Sequence, residues 1–298
     1  MAVEAKGGNM DRDVLIQIIK GFAEDGKVFS NEQDFQFEFA LALKERDEVE
    51  EVKLEVLSFP NKIANRNDFI GADGSLDLNI IEESEDEENK EEGDDDGNKQ
   101  SKKTKIKKEY TDIIVKTTDG KYYAIELKFK GADKAYLYNS KEGNVAVMAH
   151  GAVDINAYYF LKDIVRLEDI NNRVFPKDIT IKNNQIQIGN QFKIEKGFAI
   201  LLTNNIKYKT SNFPRARVWK DFPICHGREI NVDNMQNKKY EVHSSTKENA
   251  KYVSLKPKGK YKLEWKDYDL NVSPVFSFLV VEVDSKKLGQ NVETPSSN

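Results

Sequence analysis

Asp112, Glu126 and Lys128 are the residues whose types and spacing could do chemistry. Asp112 opens the β-rich run 111–116 (TDIIVK), and Glu126-Leu127-Lys128 lies within a second run, 121–130 (KYYAIELKFK). The TTDG between them ends in Asp-Gly, a strong hairpin signal. Side chains alternate along a strand, so Glu126 and Lys128 share a face and Leu127 points to the other. A tight hairpin brings Asp112 close to Glu126. Two neighbouring carboxylates suit a hard divalent cation, and magnesium prefers a few carboxylates with water and substrate phosphate. A lysine beside them can hold a phosphate or a metal-bound water. An exposed strand face stabilised by a Glu/Lys pair satisfies the same pattern, and one residue in three here is charged. Against that stands the apolar surround of Ala124, Ile125, Leu127 and Phe129. It reads as a strand buried on both faces, where charges are costly without partners or a metal.

The elements that must position these residues follow from periodicity. Val14, Leu15, Ile18, Ile19 and Phe22 recur at helical spacing and predict a helix over 12–23, ended by Gly26 and Lys27. Ser30 with Gln33 forms a capping-box pattern and opens a second helix over 31–45. Its F-x-F-x-F alternation also suits a strand; the cap and the Ala/Leu/Lys/Glu content favour helix. Val52, Leu54 and Val56 alternate as a strand over 51–58. After the hairpin, 131–148 reads as irregular. A long helix over 149–168 carries the stripe Val153, Ala157, Phe160, Ile164 and Leu167. Strands are expected at 197–203, 261–265 and 275–283. The order implies an α/β fold, a mixed sheet flanked by helices. The divisions expected are an N-terminal helix in 1–30, a core over 31–205, a β-rich extension over 206–284 and a disordered tail over 285–298.

Glu32, in the first turn of the second helix, offers a third carboxylate, with Gln36 one turn on along the same face. A partner for the helix dipole is the commoner role of such a glutamate.

The 298 residues carry a net charge of −5. Residues 82–96 hold 11 acidic side chains and one lysine, so the rest of the chain stands at +5. The acidic average therefore does not exclude a nucleic-acid partner. The block belongs to a charged, low-complexity insert, 82–109, expected to be disordered. It reads as a solvated loop or as an arm recruiting a partner. One cysteine, Cys225, and three histidines rule out an internal disulfide framework and disfavour a Cys/His zinc site. No apolar run is long enough for a membrane span and no signal peptide is evident, so a cytoplasmic protein without membrane association is expected.

The hairpin TDIIV…TTDGKYYAIELKFK resembles the active-site hairpin of the PD-(D/E)XK nuclease superfamily, the restriction-endonuclease-like fold. SNEQDFQFEFALAL, GAVDINAYYFLKDIVRLED, GFAILLTNN, DFPICHGREI and YKLEWKDY extend the likeness to a group of uncharacterised bacterial proteins of that superfamily. The resemblance implies a restriction-endonuclease-like mixed sheet with a β-rich C-terminal extension. It implies a Mg²⁺-dependent nuclease, with Mn²⁺ able to substitute, hydrolysing phosphodiester bonds in nucleic acid, foremost DNA. By that likeness Asp112 and Glu126 bind metal with the Leu127 backbone carbonyl, Lys128 is the catalytic lysine, and Glu32 orients a metal-bound water. Thr111 replaces the proline of the motif, and Val153 stands where a glutamine is expected. A nucleic-acid-binding module without useful turnover, or an interaction protein using the insert, are the rival readings.

Weaker candidates remain. His150 and Asp154 fall one turn apart and either pair locally or touch substrate. Lys162, Asp163 and Arg166 read as a solvated charged face. Cys225-His226 lacks a third member for nucleophilic catalysis. Arg215, Arg217 and Trp219, with Phe213 and Lys220, interleave basic and aromatic side chains suited to phosphate contact and base stacking, or form an ordinary surface strand. The C-terminal region could also supply a homodimer surface. No phosphate-cradling glycine loop is present.

Overall fold

The computed structural model describes residues 9–60, 75–77, 81–82, 106–107, 109–141, 143–177, 179–182, 185–188, 190–210, 222–235, 240–241, 251–252, 255–270 and 273–286. Most of the charged insert, the stretch 211–221 and the end of the tail lie outside these residues. Expectations for Arg215, Arg217 and Trp219 therefore lie outside them too.

Two helices come first. In α1 (Arg12–Glu24), the Asp11 side chain caps the N-terminus by accepting from the N–H groups of Asp13 and Val14. Leu15, Ile18, Ile19 and Phe22 form its buried face. In α2 (Glu32–Lys44) the cap is Asn31, which accepts from Asp34 N–H at 2.9 Å. Asp34 reaches back to Ser30 N–H at 2.7 Å, so the reciprocal cap sits one residue later than Ser30/Gln33 predicts. The F-x-F-x-F run is helical: Phe35 and Phe39 turn inward one turn apart and Phe37 points out. Phe22, Phe29, Phe35 and Phe39 pack ring to ring.

Among the strands are β1 (Val49–Pro60), β2 (Glu109–Thr117), β3 (Tyr122–Lys130), β4 (Tyr136–Ser140), β5 (Gly143–Val147), β6 (Arg173–Pro176), β7 (Gln191–Phe192), β8 (Ile194–Thr203), β9 (Lys266–Tyr268) and β10 (Phe276–Val283). The helix α3 (Val153–Glu168) precedes β6. Eight strands form one mixed sheet in the order β7-β6-β1-β2-β3-β8-β10-β9. Small sheets accompany it, so the architecture is mixed α/β. β2 and β3 are the expected hairpin, closed by Thr117 N–H to Lys121 C=O, with Gly120 at φ +81°. β3 and β8 run parallel, joined through the β4–β5 hairpin and α3. Residues 131–148 are thus not irregular throughout. The β4–β5 pair was hidden because it carries Asn139, Ser140 and Asn144, which read as turn residues. The last strand, β10, pairs with β8 and binds the C-terminal region into the main sheet.

The sheet is buried on both faces. Ile113, Val115, Ile125, Leu127 and Phe129 face α1 and α2, while Ile114, Ala124, Ala199 and Leu201 face α3. Val153, Ala157, Phe160, Ile164 and Leu167 are buried as predicted. The helix starts at Val153, later than expected, because Ala152 takes a left-handed conformation (φ 52°). His150 therefore precedes the helix, where its Nδ1 accepts from Gly131 N–H at 2.7 Å. Gly131 is obligatory there: a Cβ would lie 2.1 Å from Met148 O. Among the described residues no helix is long and apolar enough to cross a membrane.

Candidate active site

The central sheet forks at Asp112 and Glu126. The β1–β2 ladder runs to Ser58↔Glu109 and the β3–β8 ladder to Thr203↔Lys130. Between them, the β2–β3 ladder stops at Ile113↔Ile125. Beyond that pair the strands part, and their backbone groups need other partners. Side chains supply them. Asp112 Oδ2 accepts from Leu127 N–H at 2.6 Å. From α2, Glu32 Oε2 accepts from Phe129 N–H at 2.9 Å, and Gln36 Nε2 donates to Asp112 C=O at 2.9 Å. The first turns of α2 act as a wedge holding the two arms apart.

Strand alternation then places Asp112, Glu126 and Lys128 on the α3 face, with Leu127 on the other, as the sequence pattern implies. Lys128 Nζ lies 3.7 Å from Glu32 Oε1 and 3.5 Å from Asp163 Oδ2. Lys130 Nζ lies 3.2 Å from Glu32 Oε2. The structure therefore brings Glu32, Gln36, Asp112, Glu126, Leu127 and Lys128 together. Asp154 stays apart: it accepts from Ile155 N–H in the first turn of α3.

Three contributors were missed in the sequence. Asp163 and Arg166 do not form a solvated face. Asp163 is 4% exposed, and its Oδ2 is buried without a hydrogen bond. Arg166 reaches Glu126 Oε1 (3.2 Å), Tyr110 C=O (2.8 Å), Asp163 Oδ1 (3.2 Å) and Glu109 Oε2 (3.5 Å). The available signal was Asp163's place on the apolar stripe, three residues from Phe160 and four from Leu167. Glu55, the third, faces Asp112 across β1 and β2, in a left-handed conformation (φ 49°) that interrupts the ladder. Gln36 Nε2 donates to its carboxylate at 2.8 Å. Nothing in the alternation of residues 51–58 marks it out.

Burial raises the Asp112 carboxyl to about 6, against the opposing pull of Lys128. Asp163 and Glu32 add to the rise. Burial also pushes Glu126 well above the usual range; Arg166 opposes, and Asp112 and Asp163 reinforce. Burial works against the Lys128 ammonium, but Asp163 first and then Glu32, Asp112 and Glu126 hold it above its ordinary value.

Glu32, Gln33, Gln36, Glu55, Asp112 and Leu127 line a pocket of about 110 Å³ at the fork. Three of these are carboxylates and none is basic, but Glu32 already pairs with Lys128 and Lys130, so the charge left to attract a cation is that of Glu55 and Asp112. Among the described residues, no three His, Cys, Asp or Glu side chains stand close enough together to hold a metal ion. Asp112 and Glu126 nevertheless fit magnesium in kind. They are hard oxygen donors on one face, and magnesium needs only one or two carboxylates, water completing its shell. Among the described residues Asp112 makes no ion pair; it accepts from Leu127 N–H, and Lys128 pulls on its largely buried carboxylate only from beyond ion-pair distance. Comparison with protein-family models, curated proteins and solved structures gives no match to this chain.

Proposed function

We propose that the chain is a Mg²⁺-dependent nuclease of restriction-endonuclease-like fold that hydrolyses phosphodiester bonds, foremost in DNA. The observation that carries this reading is the forked sheet, where Asp112 and Glu126 lie just past the last β2–β3 pair with Lys128 on the same face. At such a fork backbone groups are left without ladder partners and can turn to side chains or a ligand. Asp112 and Glu126, with the Leu127 carbonyl, would hold the metal. A bound divalent cation lowers the pKa of its water and neutralises charge building on the phosphoryl oxygens. Lys128 would place a half-buried positive charge beside the phosphate, where a lowered dielectric strengthens it. Glu32 bridges Lys128 and Lys130 and fixes the direction of both ammonium groups.

Supercoiled plasmid with Mg²⁺ or Mn²⁺ tests the proposal. Wild type nicks or linearises the plasmid, and Lys128→Ala reduces the rate by about a hundredfold or more, the scale of losing one charge-stabilising group. Identical background nicking in both would overturn it. A labelled RNA run in parallel separates the two nucleic acids. A second reading, a binding module without turnover, draws on the Arg166–Glu126 ion pair, which already supplies Glu126 with a cation. Retarded migration of DNA without any cleavage would favour it.

A further inference from the structure

Arg166 and a divalent cation have the same target. Its Nη2 sits 3.2 Å from Oε1 of Glu126, a side chain only 3% exposed. The same nitrogen donates to Tyr110 C=O at 2.8 Å, and Nη1 reaches Asp163. Arg166 is therefore held at several points, and breaking its contact with Glu126 leaves Tyr110, Asp163 and Glu109 as partners. Glu109 is itself paired with Arg173 at 2.5 Å, so the anchorage on that side is firm. Asp163 supplies the second observation. Its Oδ2 is buried, takes no hydrogen bond, and faces Lys128 Nζ at 3.5 Å. The α3 side of the cluster thus holds a carboxylate oxygen able to accept a further donor if Arg166 shifts along the helix face.

We propose that Arg166 is an intramolecular cation that occupies Glu126 and must be displaced from it before a divalent cation binds. It is a positioning residue that sets metal affinity. The inference rests on the reading of Asp112 and Glu126 as metal ligands. It adds a residue of α3 that controls when they are available.

Mn²⁺ binding to the intact protein without nucleic acid, followed by electron paramagnetic resonance of the free ion, tests this apart from activity. Arg166→Gln is expected to bind Mn²⁺ about tenfold more tightly than wild type, within the usual range of such couplings. Arg173→Gln removes a cation from the same network that does not touch Glu126, and should change affinity by less than about threefold on that scale. Arg166→Lys keeps the charge but lacks the fork that spans Tyr110, Asp163 and Glu126. It should fall between wild type and Arg166→Gln. In Arg166→Gln, added guanidinium at non-denaturing concentration should weaken Mn²⁺ binding towards the wild-type value. Equal or weaker binding in Arg166→Gln, with binding abolished by Asp112→Asn, overturns the role of Arg166 and leaves the metal site standing. An equal tightening by Arg173→Gln also overturns it, since net charge alone would then explain the effect. Absence of Mn²⁺ binding in every variant sinks the metal site itself and Arg166's role with it. If circular dichroism shows Arg166→Gln unfolded, Arg166→Lys decides: tighter than wild type supports the proposal, and unchanged affinity overturns it.

Discussion

Replacing Asp112 with Asn removes one charge and keeps the shape of the side chain. The amide oxygen can still accept from Leu127 N–H, so the fork should persist. In the folded chain the Asp112 carboxyl is raised from 3.8 to about 6, mainly by burial. The folded state therefore holds its proton more tightly than the unfolded state does. Below 3.8 both states are protonated and the residue costs nothing. As pH rises from 3.8 to about 6 the unfolded chain ionises first, and folding stability falls. Above 6 the full penalty is present, roughly 3 kcal/mol at 1.36 kcal/mol per tenfold in proton affinity. Asp112→Asn should therefore be more stable than wild type by up to about 3 kcal/mol at pH 7.5. The two proteins should converge below pH 4. Urea unfolding at several pH values, with fluorescence and far-ultraviolet circular dichroism as probes, reads this directly. A gain in stability that comes with loss of metal binding is the signature of a side chain kept for function. Asp112→Asn being less stable at pH 7.5, or a difference independent of pH, would refute the reasoning. Asp112 would then be a structural acceptor for Leu127 and nothing more.

Further outcomes follow from the same geometry. Mg²⁺ should raise the melting temperature of wild type at pH 7.5 and leave Asp112→Asn unmoved; at a hundredfold excess over its Kd the gain is about 2.7 kcal/mol, and differential scanning fluorimetry detects it. Gly197→Ala would place a methyl 2.8 Å from Leu167 Cδ2, where α3 lies on β8. It should cost about 1–3 kcal/mol in denaturant unfolding. Because that contact seats the helix carrying Asp163 and Arg166, it should also alter Mn²⁺ affinity. Loss of stability with unchanged affinity would show that the seat of α3 does not govern the cluster.

The sequence by itself determined the elements whose evidence is local. Gly120 after Asp119 fixed the hairpin, since only a turn with positive φ closes those strands. The apolar stripes of α1 and α3 fixed which faces turn inward, and alternation fixed Glu126 and Lys128 on one face. Ser30 and Asn31 are both good caps, and their order was settled by Asp34 bonding back to Ser30. What lay beyond the sequence was non-local. No pattern within 109–130 says that the β2–β3 ladder stops at Ile113↔Ile125, because the stop depends on Glu32 and Gln36 arriving from α2. Nor could Asp163 and Arg166 be separated from a solvated face by spacing alone. Charge patterning along a helix shows which residues neighbour each other, but not what the helix is laid against. Only the packing of α3 on the open side of the fork made Arg166 the partner of Glu126 and buried Asp163 beside Lys128. Local chemistry chose the carboxylates and the lysine. Tertiary packing chose the cation beside them, because burial turns an ordinary surface charge into one that must be paired.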